Sequence, residues 1–344
     1  MVISGLAEIA SAIGVERDPG LITALRTPHL IHSSTIVAEK LRFAPSRLAP
    51  KAMDNSLPRS QQHPTSGGAP AYLEVALDGS LEEKVVLIHG FTQAKWMWQG
   101  LLDPLALRTK MRICAVDAPG HLDSSELRYD LAQLSDTLAN SFQAAHYVGY
   151  SMGARIAMTL AARHPEVVKS LVVVSGNPGI RSRSQRLARI ASDERLAQEL
   201  ELLEDDPEGF ASFLRRWISQ PLFGPLGDQG ANLRQRALNT PSALASSLRL
   251  IGAGTQVPIW DEIIHLGVPF RFIVGERDEK FRAIAEELIA KRGRQGELIV
   301  AKDCYHQVVS SAPQLVLQSL LEFYGASPDR GTRSGGASHQ DLGS

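Results

Sequence analysis

The sequence predicts an α/β protein built on a mostly parallel sheet, with helices on both faces and a helical lid inserted late in the chain. Three observations carry this. First, short runs at residues 85–88, 112–116, 144–148, 170–174, 270–274 and 298–301 are mostly apolar on both faces and are separated by segments with helical spacing. Such strands, alternating with helices, belong to a parallel sheet covered on both sides. Second, the alternation stops between residues 177 and about 266, where the chain turns helical, charged and arginine-rich. A helical block between two strands is most simply a lid over their ends. Third, Gly149-Tyr150-Ser151-Met152-Gly153 stands between an apolar run and a helix-period segment through Ile156 and Leu160. That is a strand, a sharp turn with serine at its apex, and a helix.

In chain order, residues 1–40 carry helix-like spacing (Leu6, Ile9, Ile13, then Leu21, Ile22, Leu25), and residues 42–70 are rich in Pro, Ser, Gln and Gly. Residues 1–70 therefore read as an N-terminal extension and linker, partly disordered. The Leu-Glu-Val-Ala-Leu alternation within 71–77 predicts a short entering strand. The strand at 85–88 ends at His89-Gly90-Phe91-Thr92 and leads into a helix at 96–107. The strand at 112–116 ends at Asp117-Ala118-Pro119-Gly120-His121, ahead of a helix at 129–143. After the lid at 177–266, the strand at 270–274 ends at Gly275-Glu276-Arg277-Asp278 and a helix follows at 281–291. The strand at 298–301 leads to Cys304-Tyr305-His306, and residues 313–324 form a last amphipathic helix. Residues 71–324 thus read as one α/β domain and 325–344, rich in Gly, Ser and Asp, as a disordered tail.

With 44% hydrophobic and 21% charged residues and a net charge of -1, the composition is that of an ordinary globular protein with no basic excess to neutralise phosphates. Nucleic acid and anionic membrane surfaces are poor partners on that ground. Cys114 and Cys304 have no metal-ligand spacing and read as reduced thiols, so no metal site is expected. No apolar run approaches the ~20 residues of a membrane helix, and the N-terminal stretch has Glu8 within it and no basic start. The expected location is cytoplasmic, without membrane insertion; the oligomeric state is open.

Three chemically capable residues each follow a strand, in the order Ser151, Asp278, His306. The carboxyl ends of parallel strands are where such sheets place their sites. A serine hydroxyl needs a histidine to take its proton and a carboxylate to fix the imidazole tautomer. Order and placement match the α/β-hydrolase arrangement. An oxyanion hole is then expected from the backbone N–H groups of Met152 and Phe91, donors worth roughly 3 kcal/mol each toward a developing negative oxygen. His89 reads as a loop-stabilising residue and Asp117 as a turn former. Arg155 sits in the first turn after Ser151, where the helix dipole disfavours a cation by several tenths of about 1 kcal/mol. Its position suits a carboxylate-bearing ligand, with a surface salt bridge as the plainer reading.

Over residues 80–324 these features resemble one family within that fold, the 2-succinyl-6-hydroxy-2,4-cyclohexadiene-1-carboxylate (SHCHC) synthases of menaquinone and phylloquinone biosynthesis. The resemblance rests on Gly149-Tyr150-Ser151-Met152-Gly153-Ala154-Arg155, on Gly176-Asn177-Pro178-Gly179-Ile180 with the run through Arg189 and Ser192-Asp193, and on Trp217-Ile218-Ser219-Gln220-Pro221-Leu222-Phe223. Ser247-Leu248-Arg249, Gly252-Ala253-Gly254-Thr255-Gln256 and Gly275-Glu276-Arg277-Asp278-Glu279-Lys280-Phe281 extend it. It implies a lyase that eliminates pyruvate from 2-succinyl-5-enolpyruvyl-6-hydroxy-3-cyclohexene-1-carboxylate. Ser151, His306 and Asp278 would remove a ring proton, and the oxyanion hole would hold the enolate. The partner implied is a small polycarboxylate, with Arg155, Arg189 and Arg236 binding its carboxylates, Trp217 beside its ring, and no metal or organic cofactor. Arg181, Arg183 and Arg186 read as a solvated helix face.

Three departures from the family stand out. Tyr305 replaces the glycine before the catalytic histidine, Val309 replaces a second histidine, and Leu122 replaces a glycine in Pro119-Gly120-His121-Leu122-Asp123-Ser124. Tyr305 and Leu122 add bulk expected to lie beside the site. Two other readings stay open: a serine hydrolase of small esters or carbon–carbon bonds, and a non-catalytic scaffold serving as a binding module.

Overall fold

Eight strands form one sheet in the computed structural model, which describes residues 57–78, 80–225 and 232–325. They are β1 (Arg59–His63), β2 (Tyr72–Ala76), β3 (Lys84–Ile88), β4 (Arg112–Val116), β5 (Ala145–Tyr150), β6 (Val168–Val174), β7 (Phe270–Gly275) and β8 (Gly296–Ala301). Their order across the sheet is β1-β2-β4-β3-β5-β6-β7-β8. The first two pairings, β1 with β2 and β2 with β4, are antiparallel, and every later one is parallel. Crossovers run through α1 (Gln99–Thr109), α2 (Leu131–Phe142), α3 (Met152–Arg163) and, between β7 and β8, α9 (Glu279–Arg292). After β8 come α10 (Val308–Ser311) and α11 (Pro313–Phe323).

Alternation along each strand sends side chains into two separate cores. Val86, Ile88, Tyr147, Leu171 and Val173 pack with Leu134 and Leu138 of α2 and Ile156 and Leu160 of α3. Val85, Leu87, Val148, Val172 and Val174 pack on the other face with Leu101 and Leu105 of α1 and Leu320 of α11. Each fully buried aliphatic side chain of this kind contributes about 1.5–3 kcal/mol. The central position of β5, between β3 and β6, gives Val148 the partners Leu87 and Val172 and delivers Ser151 to the middle of the sheet's carboxyl edge.

β1 differs from the sequence reading, which places residues 59–63 in a linker. Its Arg-Ser-Gln-Gln-His sequence is polar and largely exposed, so it carries no apolar alternation. Its order comes from backbone pairing with β2, from Arg59 opposite Ala76 to His63 opposite Tyr72, and from the His63 ring stacked 4.2 Å from Tyr72. A polar outermost strand also resists further edge pairing. Residues 1–56 of the expected extension and residues 326–344 of the expected tail lie outside the described residues.

Between β6 and β7 the described chain holds α4 (Arg183–Glu201), α5 (Pro207–Ile218), α6 (Leu233–Arg236), α7 (Pro241–Ile251) and α8 (Trp260–Ile264). This insertion has its own small core, with Leu200, Phe210, Phe213, Leu214, Leu244 and Leu248 buried together. Its helices start where local chemistry favours it. Ser182 and Asp206 cap α4 and α5 through their side-chain oxygens, and proline occupies the first turn of α5 and α7. Among the described residues no helix is long and apolar enough to cross a membrane.

Candidate active site

Ser151 is at φ 52, ψ -106, a backbone conformation rarely tolerated by a residue with a side chain. The turn is paid for by its surroundings: Ser151 N–H donates to Val174 O at 2.9 Å, and Arg155 N–H returns to Ser151 O. Both flanking glycines are required sterically. A Cβ on Gly149 would strike the Gly153 backbone, and one on Gly153 would strike the carbonyl of Ile88. The loops after β7 and β8 bring the other two groups. His306 Nε2 lies 2.9 Å from Ser151 Oγ, and His306 Nδ1 lies 2.7 Å from Asp278 Oδ2. With Nδ1–H donating to the carboxylate, Nε2 is free to accept the serine proton. Phe281, Tyr150 and Phe223 surround the imidazole at centroid distances of 4.4, 5.6 and 6.0 Å, and His306 is buried. Removing water in this way strengthens each electrostatic contact inside.

Phe91 and Met152 both line the cavity above Ser151, and among the described residues neither backbone N–H has a hydrogen-bond partner. The loop that presents Phe91 is held by buried polar groups. His89 Nδ1 pairs with Gly90 O at 2.8 Å while its Nε2 accepts from Ala118 N–H. His121 Nδ1 pairs with Pro119 O while its Nε2 accepts from Thr92 N–H. His89 is thus a loop brace, without contact to the cavity. Asp117 does more than form a turn: its buried carboxylate takes Lys95 Nζ at 2.5 Å and Lys95 N–H at 2.8 Å, tying β4 to the same loop.

Both histidines are neutral because burial, above all, disfavours the imidazolium: His89 titrates well below the ordinary value near 6.5, and His121 falls to about 4. Below pH 6.5 the unfolded chain binds protons that the folded chain refuses, so stability falls as pH falls. The expected result is a melting temperature that is flat above pH 7.5 and declines between pH 6.5 and 5. Calorimetry across that range checks it, and an unchanged melting temperature would exclude the assignment.

The cavity over Ser151 and His306 has a volume of about 270 Å³. Among the described residues, its cationic lining comes from Arg155, Arg189 and Lys280, against one carboxylate, Asp193. Arg155 is buried and is not the surface salt bridge of the plainer reading. Its Nη1 donates to Ile251 O at 2.8 Å and Gly252 O at 3.1 Å, capping the carbonyl end of α7, and burial lowers its pKa to about 10, still cationic at neutral pH. Arg189 Nε donates to Asp193 Oδ1 at 2.7 Å. Trp217 lines the cavity with its ring edge-on to Phe91 at 5.1 Å. Lys280, whose pKa burial and then Arg189 lower, was not singled out from sequence; its place two residues after Asp278 was the available signal.

Arg236 does not join them. Its side chain is fully buried, pairs with Thr92 Oγ1 and reaches Phe91 O at 3.5 Å, and does not line the cavity. The end of α6 lies behind the Phe91 loop, so the guanidinium meets that loop before it can reach a ligand. Arg181 instead pairs with Glu287 of α9 and covers the Trp260 ring, and Arg186 donates to Ile180 O and Arg181 O.

Residues 85–318 match a family described as the alpha/beta hydrolase family. The chain belongs to the alpha/beta hydrolase family. Within it, the chain is related to the SHCHC synthases. It is 32% identical over 257 residues to the putative 2-succinyl-6-hydroxy-2,4-cyclohexadiene-1-carboxylate synthase of Bacillus subtilis, covering 70% of this chain and 90% of that one. It is 33% identical over 217 residues to the corresponding synthase of an Enterobacter species, covering 60% and 81%. The structure of MenH from S. aureus superposes with a TM-score of 0.67 over 74% of this chain and 97% of that chain, at 22% identity, a likeness of fold.

Two of the departures that distinguish this hydrolase-fold chain prove to lie outside the cavity. Neither Leu122 nor Tyr305 lines it. Leu122 adopts φ 39, a left-handed conformation that explains a glycine at this point in the resembled family. Asn239 Oδ1 accepts Leu122 N–H, and Lys95 pairs with Asp123 at 2.5 Å, which hold the turn despite the strain. Leu122→Gly is expected to raise stability by up to about 1 kcal/mol in denaturant titration; destabilisation would show that Leu122 packing outweighs backbone strain. Val309, the third departure, is buried in the core on the α1 face.

Proposed function

We propose that this protein is a carbon–oxygen lyase that eliminates pyruvate from 2-succinyl-5-enolpyruvyl-6-hydroxy-3-cyclohexene-1-carboxylate. One observation carries the reading: three cationic side chains, Arg155, Arg189 and Lys280, line the same cavity as Ser151 and His306. A neutral ester gains nothing from such a lining, whereas a tricarboxylate offers a partner to each cation. The named function of the relatives above agrees with it.

In this mechanism the Ser151 hydroxyl proton passes to His306 Nε2 as Ser151 Oγ takes the ring proton α to the succinyl carbonyl. Asp278 supports the resulting imidazolium through Nδ1. The electron pair of the broken C–H bond enters the carbonyl, whose oxygen accepts the Phe91 and Met152 N–H groups. Collapse of that enolate shifts the ring double bond and breaks the ring carbon–oxygen bond to the enolpyruvyl group. The leaving group takes a proton and departs as pyruvate, and the cyclohexadiene remains. Arg155, Arg189 and Lys280 hold the carboxylates, with Trp217 beside the ring.

The test is pyruvate release by purified protein given the enolpyruvyl substrate, with a chromogenic short-chain ester in parallel. Pyruvate with slow ester turnover is expected. Absence of pyruvate would sink the lyase, and rapid ester turnover in that case would assign the triad to hydrolysis.

A further inference from the structure

We propose that Tyr305 is a positioning residue that fixes His306 by gripping the insertion on one side and the Asp278 loop on the other. The inference rests on the Ser151, His306 and Asp278 group being catalytic, and is independent of which reaction it performs.

His306 lies in a loop after β8, and its backbone is not held by the sheet alone. Its N–H donates to Leu222 O at 3.2 Å, a residue of the insertion. That carbonyl belongs to the short turn of Pro221–Phe223, which ends at Gly224 with φ 65 and ψ -169, a conformation open essentially to glycine. The Tyr305 ring occupies the space beside Gly224: a Cβ there would collide with Cγ, Cδ2 and Cε2 of the ring. On the Asp278 side, the Arg277 guanidinium stands 5.8 Å from the Tyr305 ring centroid, and Arg277 also bonds Asp303 at 2.5 Å and Cys304 O through its own N–H at 2.9 Å.

Tyr305 therefore touches three pieces that lie far apart in sequence: the loop of the catalytic carboxylate, the loop of the catalytic histidine, and the turn that accepts the His306 amide. Its ring stays out of the cavity, so its size costs no ligand space. A glycine at this point would leave the Leu222–His306 hydrogen bond unsupported.

Three proteins distinguish the role: the full chain, Tyr305→Gly and Tyr305→Phe. A fluorophosphonate probe reads the competence of the group without the natural substrate. Ser151 Oγ bonds phosphorus, fluoride leaves, and the hydroxyl proton passes to His306 Nε2. Tyr305→Gly is expected to label at least about tenfold more slowly at a similar melting temperature. Tyr305→Phe, which keeps the ring against Gly224, is expected to label within twofold of the parent. Hydrogen exchange adds a readout that general destabilisation would not localise: in Tyr305→Gly, the His306 amide and residues 217–224 exchange about tenfold faster while β5 is unchanged.

Labelling of Tyr305→Gly at the parent rate, or slowing without faster His306 exchange, would overturn the proposal. If Tyr305→Gly does not fold, Tyr305→Leu, which keeps apolar bulk and loses the planar face, carries the same two expectations. A parent protein that labels but releases no pyruvate removes the lyase and leaves this role standing. A parent that does not label removes both.

Discussion

Alanine at Ser151 is expected to lower pyruvate release from the enolpyruvyl substrate by about 10²–10⁴-fold, the range of a lost proton-transfer group. The substitution deletes one oxygen, placed 2.9 Å from His306 Nε2, and leaves Arg155, Arg189 and Lys280 in the cavity. KM should accordingly stay within about threefold, since the carboxylate contacts that set ground-state binding survive. A coupled assay of pyruvate at several substrate concentrations separates the two constants. A rate within tenfold of the parent would take the hydroxyl out of the proton path and leave His306 as the sole base.

Replacing Arg236 with methionine separates a carboxylate ligand from a loop brace. As a brace, Arg236 holds Thr92 Oγ1 and the Phe91 carbonyl from behind, so its loss frees the segment that carries the Phe91 N–H. Buried partners left unpaired cost about 1–3 kcal/mol. The expected outcome is a lower melting temperature and a kcat reduced by about tenfold or more, as for a weakened oxyanion donor, with KM little changed. A large rise in KM with kcat and melting temperature preserved would return Arg236 to the substrate and contradict the burial argument. Arg189→Met is the useful contrast: Arg189 lines the cavity and is partly exposed, so its loss should raise KM with kcat little changed.

The central strands were legible because each is a compact apolar run, and burial on both faces demands that. Val85 to Ile88 and Leu171 to Val174 are buried throughout. The outermost strand was not, because Arg59–His63 gains order from the β2 backbone and sends no signal through its side chains. The insertion was legible as a break in alternation. Which arginines face inward was not, since Arg189 and Arg186 lie one helical turn apart with similar neighbours in sequence. Arg189 is drawn to the cavity by the buried carboxylate of Asp193, while Arg186 turns back onto Ile180 O and Arg181 O.

By itself the sequence determined the α/β alternation, the serine turn and the order Ser151, Asp278, His306, because strand burial and tight-turn sterics act over a few neighbouring residues. Only the tertiary structure decided which charged groups share a cavity. It put Lys280 there and withdrew Arg236, and it placed the bulk of Tyr305 behind His306 rather than in front of it. Those outcomes depend on the approach of segments far apart in the chain, where a guanidinium stops at the first buried oxygen within reach.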